Sequence, residues 1–328
     1  VLWMDADDIF RGGKELKGLL QRCDAGGIDS VFMNYVYQAE IVDGKIKGVL
    51  IEHLRERLVR NNGIYEWVAP IHETLIEKRP TNKIDFDKCD VLHLAELDRR
   101  AGALERNTKT LELSVFNSKG ADPRPVYYLG KCYFDYFLST SDIKTYLPKA
   151  KKLFEKYIFG SADYDGNNKS GWAEERSQCW EYLVEICRQM GEYNNAIKCA
   201  HNAMIEDERF PSIYINIALI YLVKKEFARA LWWVKLAGKI PQPTTTLVST
   251  PKDLAGRAME VVYHASLNLS HLDEAWAAAV KLKELYPDST EMKDRFNFMS
   301  NLKTQRTLSK SVVELVNYLV KTNEKEKI

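Results

Sequence analysis

At 328 residues the chain has room for two ordinary domains, and a hydrophobic content of 45% is enough to bury proper cores. With 47 Lys and Arg against 46 Asp and Glu, nothing points to a nucleic acid or an anionic membrane bound through bulk electrostatics, so partners must be argued from sites. No apolar run approaches the roughly 18 residues of a membrane span, and no basic stretch stands ahead of the first apolar residues as in a signal peptide.

The chain opens on Val1-Leu2-Trp3-Met4, which reads as a buried strand running straight into Asp5-Ala6-Asp7-Asp8. A helix follows over Lys14 to Cys23, with Leu16, Leu19 and Leu20 on one face and Gly26-Gly27 after its end. Ser30 to Tyr37 is rich in β-branched and aromatic residues, and Asp43-Gly44 between Ile41-Val42 and Lys45-Ile46 predicts a hairpin. A further strand is expected at Glu56 to Arg60, closed by Asn61-Asn62-Gly63. Strand, helix and several strands describe part of an α/β domain. The dense charges of Glu96 to Arg100 read as a solvated face.

From about Asp98 the apolar period turns helical, and the later segment repeats itself. Tyr193, Ala196 and Ala203 recur 34 positions on as Phe227, Ala230 and Ala237. A third copy places Ala275 45 positions after Ala230, an 11-residue insertion falling in the Pro/Thr-rich linker Pro241 to Thr246. A weaker first copy is expected at Tyr128 to Phe159, ahead of the loop Gly160 to Gly171. This period, with alanines at fixed helical positions and Pro211, Pro241 and Pro287 after the second helices, resembles divergent tetratricopeptide repeats. Each helix pair leaves an apolar face that its neighbour must cover, and small residues at the crossing allow close approach. The tryptophans and tyrosines here are expected in the solenoid core. The six cysteines form no C-x-x-C pair and sit in apolar helical patterns, which fits a reducing, cytoplasmic setting.

Alone, the acidic run serves equally well as a metal site or a helix cap. On a strand Asp5 and Asp7 would share one side while Asp8 turns elsewhere. Its context is Arg57-Leu58-Val59-Arg60-Asn61, then Tyr65-Glu66-Trp67-Val68-Ala69-Pro70-Ile71-His72-Glu73, then Val91-Leu92-His93-Leu94 and Arg106-Asn107. In that order these segments resemble the carboxyl-terminal half of family 2 glycosyltransferases of the GT-A fold, in members where tetratricopeptide repeats follow. The resemblance implies an α/β partial GT-A domain over residues 1–120 and an all-α repeat solenoid over 121–328. It implies an inverting, metal-dependent transferase taking a nucleotide-sugar donor to a glycan, peptide or protein acceptor. Mn²⁺ or Mg²⁺ would bridge the donor diphosphate from Asp5 and Asp7, with His93 as a further ligand. Glu73 would remove the acceptor's proton. Arg60, Trp67 and His72 would hold donor or acceptor; Arg57 and Arg60, three apart, cannot both face the site unless a bulge intervenes. The half that precedes this strand in the family is absent here, so the 328 residues are expected to be a fragment with little transferase activity alone. The rival reading is a non-catalytic repeat scaffold that binds a peptide or protein.

Overall fold

A computed structural model describes residues 1–43, 45–94, 102–160 and 171–325. The charged run Glu96 to Arg100 and most of the loop after Gly160 lie outside them. The chain forms two compact units: residues 1–216 with 240–253, and residues 217–239 with 254–328. Strands do give way to helices near residue 100, but the first unit carries helices as well.

In the first unit a four-stranded sheet runs β1(Asp8–Arg11), β6(Lys83–His93), β2(Ser30–Val42), β3(Lys45–Val59) in spatial order. β2 and β3 form the expected hairpin, with Val42 opposite Lys45 and Asp43 in the left-handed conformation that such turns require (φ 51). β6 lies parallel to β2 and antiparallel to β1. The first strand is therefore Asp8–Arg11 rather than Val1 to Met4. Residues 1–3 instead run beside the end of β3, joined by Trp3 N to Arg57 O (3.1 Å) and Val59 N to Val1 O (2.9 Å). The reason is the carboxylate-rich turn, where Asp8 N bonds back to Asp5 O and splits the expected strand in two.

Helix α1(Leu16–Ala25) lays Leu19 and Cys23, one turn apart, on Val31, Met33, Leu58, Phe86 and Cys89. Leu20, expected on the same face, is exposed. Gly12, just ahead, has φ 84, and a Cβ there would meet the Lys88 carbonyl at 2.2 Å. A small hairpin, β4(Tyr65–Val68) with β5(Thr74–Glu77), stands apart from the sheet.

The outer edge of β3 is covered. Glu52 pairs with Ser249 through both backbone bonds (3.0 and 2.7 Å), and Leu54 N donates to Thr245 O (3.0 Å). The Pro/Thr-rich insertion thus returns to the sheet, where it pairs backbone groups that an edge strand would otherwise leave open.

Helices α2(Ala103–Asn117), α3(Pro123–Thr140), α4(Ile143–Phe159), α5(Ala173–Gln189) and α6(Tyr193–Glu206) complete most of this unit. Asp122 caps α3 by accepting from Arg124 N, with Pro123 at the first helical position, and Asp142 caps α4 by accepting from Thr145 N. Their core joins Tyr127, Phe134, Leu147, Phe154, Tyr157, Cys179 and Ile186. α7(Pro211–Val223) begins in this unit and ends in the other. The second unit continues with α8(Phe227–Ala237), α9(Pro251–Asn268) from Leu254 on, α10(Leu272–Leu285) and α11(Thr290–Lys325).

The 34-residue period is a run of helix pairs, α5/α6, α7/α8 and α9/α10. Ala196, Ala230 and Ala275 fall in the first turns of α6, α8 and α10 and are each wholly buried. The tetratricopeptide-like organisation expected for this region is the one observed.

Candidate functional site

The acidic opening converges on the end of β6. Asp8 and His93 are register partners of the β1–β6 pair, and His93 Nδ1 lies 3.0 Å from Asp8 Oδ1. Asp5 is brought in by the turn, its N–H donating to Asp8 Oδ2 at 3.0 Å. One ligand atom from each of Asp5, Asp8 and His93 lies within 4.8 Å of the other two. Asp7 stays close, its Oδ1 3.7 Å from His93 Nδ1, while its backbone carbonyl accepts from Leu94 N. Asp8, expected to turn elsewhere, is the innermost carboxylate: its side chain is fully buried and Asp7's is one-third exposed. The tight turn from Asp5 to Asp8 is not strand, so two-residue alternation does not apply across it.

A second layer surrounds the cluster, and of its members only Arg57 stood out in the sequence. Tyr35, from the middle of β2, donates to Asp8 Oδ1 at 3.1 Å and lies 3.4 Å from Asp5 Oδ2. Burial and then the Asp8 charge push its hydroxyl well above the usual tyrosine range. Tyr37 stacks on His93 with ring centroids 5.0 Å apart. Arg57 sits between the rings of Trp3 (4.1 Å) and Tyr35 (4.0 Å), with Nη2 3.5 Å from Asp8 Oδ2. Its burial lowers the guanidinium pKa, and Asp8 opposes that. The signal that could have found it is a bulge: β2 and β3 slip register between Val31 opposite Leu58 and Phe32 opposite Glu56, leaving Arg57 as the extra residue.

Asp8 thus uses one oxygen on His93 and Tyr35 and the other on Arg57 and the Asp5 amide. A divalent ion with ligands about 2.1–2.2 Å away spans donor atoms up to about 4.4 Å apart. Asp5, Asp8 and His93 are the residues that could hold such an ion, and their mixed oxygen and imidazole donors would suit Mn²⁺ better than Mg²⁺.

The other sequence-predicted residues lie elsewhere. Arg60 bonds the carbonyls of Ile28 (3.1 Å) and Cys23 (3.1 Å) and faces Asp24 and Asp29, fastening the end of α1 to β2. It lines a depression of about 160 Å³ with Val1, Leu20 and Val31. The bulge required for Arg57 and Arg60 to act together is present, yet Arg60 has none of the acidic cluster among its partners. Trp67 is half exposed and meets Trp3 edge-on at 4.8 Å. Glu73 is exposed, and its carbonyl accepts from Arg55 Nη2 at 2.9 Å. His72 adopts φ 54 and stacks on Tyr128 with centroids 4.0 Å apart. The site residues therefore fall into the Asp5–Asp8–His93 cluster, a second group around His72 and Glu73, and Arg60 at the end of α1.

Among the described residues no helix is long and apolar enough to cross a membrane. No protein-family model matches the chain, and no curated protein matches it. Solved structures similar to it are tetratricopeptide proteins. The first tetratricopeptide domain of human RPAP3 is 22% identical with a TM-score of 0.34, covering 40% of this chain and 96% of that one. MamA is 15% identical with a TM-score of 0.41, over 59% and 96%. A thermophilic tetratricopeptide protein of Thermus thermophilus is 18% identical with a TM-score of 0.39, over 62% and 95%.

Proposed function

We propose that the helical repeats serve as a platform on which a peptide or protein partner docks. The observation that carries this reading is the recurrence of helix pairs, each with a wholly buried alanine in the first turn of its second helix, since helical repeats of this kind present binding surfaces. Trp232 on α8 offers a large ring 58% exposed, the residue type that most often anchors an interface. Selection of a displayed peptide library on the purified chain is expected to enrich one consensus motif, with Trp232→Ala weakening its binding at least fivefold. Failure to enrich any motif would sink this reading.

A second reading is favoured by the convergence of Asp5, Asp8 and His93. We read that cluster as the seat of a divalent ion in a nucleotide-sugar transferase, with Asp7 beside it. A bound ion would neutralise the charge that develops on a leaving nucleoside diphosphate. In an inverting transfer the acceptor oxygen bonds to the anomeric carbon as the bond to the diphosphate breaks, and Glu73 takes the acceptor's proton. His72, beside Glu73 in the segment between β4 and β5, and Trp67 of β4 would contact the sugars. The test is thermal unfolding with Mn²⁺ and a panel of UDP-, GDP- and dTDP-sugars. Stabilisation by one of them, lost in Asp5→Asn, supports the reading; no stabilisation by any removes it.

A further inference from the structure

β3 and α3 carry facing rows of cationic side chains. On β3, His53, Arg55 and, through the bulge, Arg57 lie on the Tyr35 side of the sheet. His53 meets the Tyr35 ring edge-on at 5.3 Å, Tyr35 and Met33 are the register partners of His53 and Arg55, and Arg57 covers the same ring. On α3, Arg124, Tyr128 and Lys131 recur at a spacing that puts them on one helix face. The loop between β4 and β5 ties the rows together. Arg55 Nη2 donates to the Glu73 carbonyl, Arg124 Nη2 donates to the His72 carbonyl at 3.1 Å, and the His72 ring stacks on Tyr128.

The charges of this cluster do not balance. Asp8 faces Arg57 at 3.5 Å, Glu175 faces Arg124 at 3.4 Å, and Asp135 acts on Lys131. Burial pushes the carboxyls of Glu175 and Asp135 up and the cations of Lys131 and Arg57 down, so both signs are desolvated here. Opposite them stand four cations. Their field reaches both imidazoles: His53 is held down to about 3 by burial first and then by Arg55, Arg57 and Lys131. His72 is exposed as a residue, and its ring, packed on Tyr128, is lowered to about 4 by desolvation and then by Lys131, Arg124 and Arg55.

Unmet hydrogen-bonding groups gather in the same place. His53 Nδ1, Arg55 Nε, Arg57 Nε and Nη1, and Arg124 Nε are buried without a partner among the described residues. Buried donors left open are costly, and a cluster of them calls for an acceptor.

We propose that His53, Arg55, Arg57, Arg124 and Lys131 form a binding site for a phosphate-bearing small molecule. Guanidinium forks match phosphate oxygens two at a time, and a diphosphate offers enough acceptors for rows on both walls, which a lone carboxylate does not. Beside the rows, Trp3 lies under Arg55 (5.3 Å) and Arg57, and half-exposed Trp67 leans on Trp3, giving the organic part of the ligand an aromatic wall. The site needs no metal and does not rest on the Asp5–Asp8–His93 reading.

The test is titration calorimetry of the full chain with inorganic pyrophosphate in EDTA, beside glutarate as a dicarboxylate. Arg55→Gln and Lys131→Gln, each checked for folding by circular dichroism, are expected to weaken pyrophosphate binding at least tenfold. Lys281→Gln, on the exposed face of α10, is expected to leave it unchanged. No pyrophosphate binding, or equal weakening in all three variants, overturns the site. Tighter binding of glutarate than of pyrophosphate overturns the phosphate assignment. Because no divalent ion is present, failure here leaves the metal reading intact.

Discussion

His93 Nδ1 lies 3.0 Å from Asp8 Oδ1 across a register pair of β1 and β6, and the other oxygen of that carboxylate faces Arg57. Asp8 is therefore the buried counter-charge of the sheet end as well as a candidate ligand.

Asp8→Ala should be strongly destabilising, because it strands a buried guanidinium. Breaking such a pair from one side costs about 3–5 kcal/mol. Asp5 is exposed, and Asp5→Ala should stay within about 1 kcal/mol of the parent. Urea unfolding of the two variants checks this, and equal losses would argue against the inward role of Asp8.

Acid should weaken the cationic cluster. Folded His72 takes up its proton near pH 4, whereas an unperturbed histidine does so near 6.5. Between those values the unfolded chain binds more protons, so stability rises with pH and is lost as pH falls from about 6.5 towards 4. His53, held to about 3, acts in the same direction. Lys131→Gln removes one of the cations that hold both rings neutral. It should move the His72 titration upward in an NMR pH series; an unmoved titration would separate Lys131 from the cluster.

Two glycine substitutions should have opposite signs. A Cβ on Gly130 of α3 would meet the fully buried Phe154 ring at 2.7 Å, so Gly130→Ala should cost about 1–3 kcal/mol through forced repacking. Gly18 of α1 is exposed with nothing within 4 Å, and Gly18→Ala should stabilise by about 0.5–1 kcal/mol. Thermal midpoints of both variants are the measurement.

Enlarging a repeat crossing should also be felt. Ala230→Leu inserts three carbons where the native side chain is wholly buried, and should cost upward of about 1–3 kcal/mol. Ala228→Leu, two positions away and exposed, should cost little, and denaturant midpoints distinguish the two.

Much of the architecture was legible because it is periodic. The hairpin at Asp43, the helix holding Leu19 and Cys23, and the repeats marked by Ala196 and Ala230 all follow from local spacing. What escaped was non-local or broke a period. Asp8 turned inward because the Asp5–Asp8 turn interrupts the strand. Arg57 entered the site through a one-residue bulge whose position depends on the facing strand. His53, Arg55, Arg124 and Lys131 are unremarkable within their own elements, and become a cluster only when β3 meets α3. Nothing local shows that the linker after Pro241 returns to Glu52.

That return has a consequence for how the protein is made. Glu52 leaves the ribosome long before Ser249, its pairing partner roughly 200 residues downstream. At about 5–20 residues per second, the β3 edge waits on the order of 10–40 s for its cover. During that interval the nascent sheet is a template for other strands, and slow translation or truncation between the two positions should favour aggregation over folding.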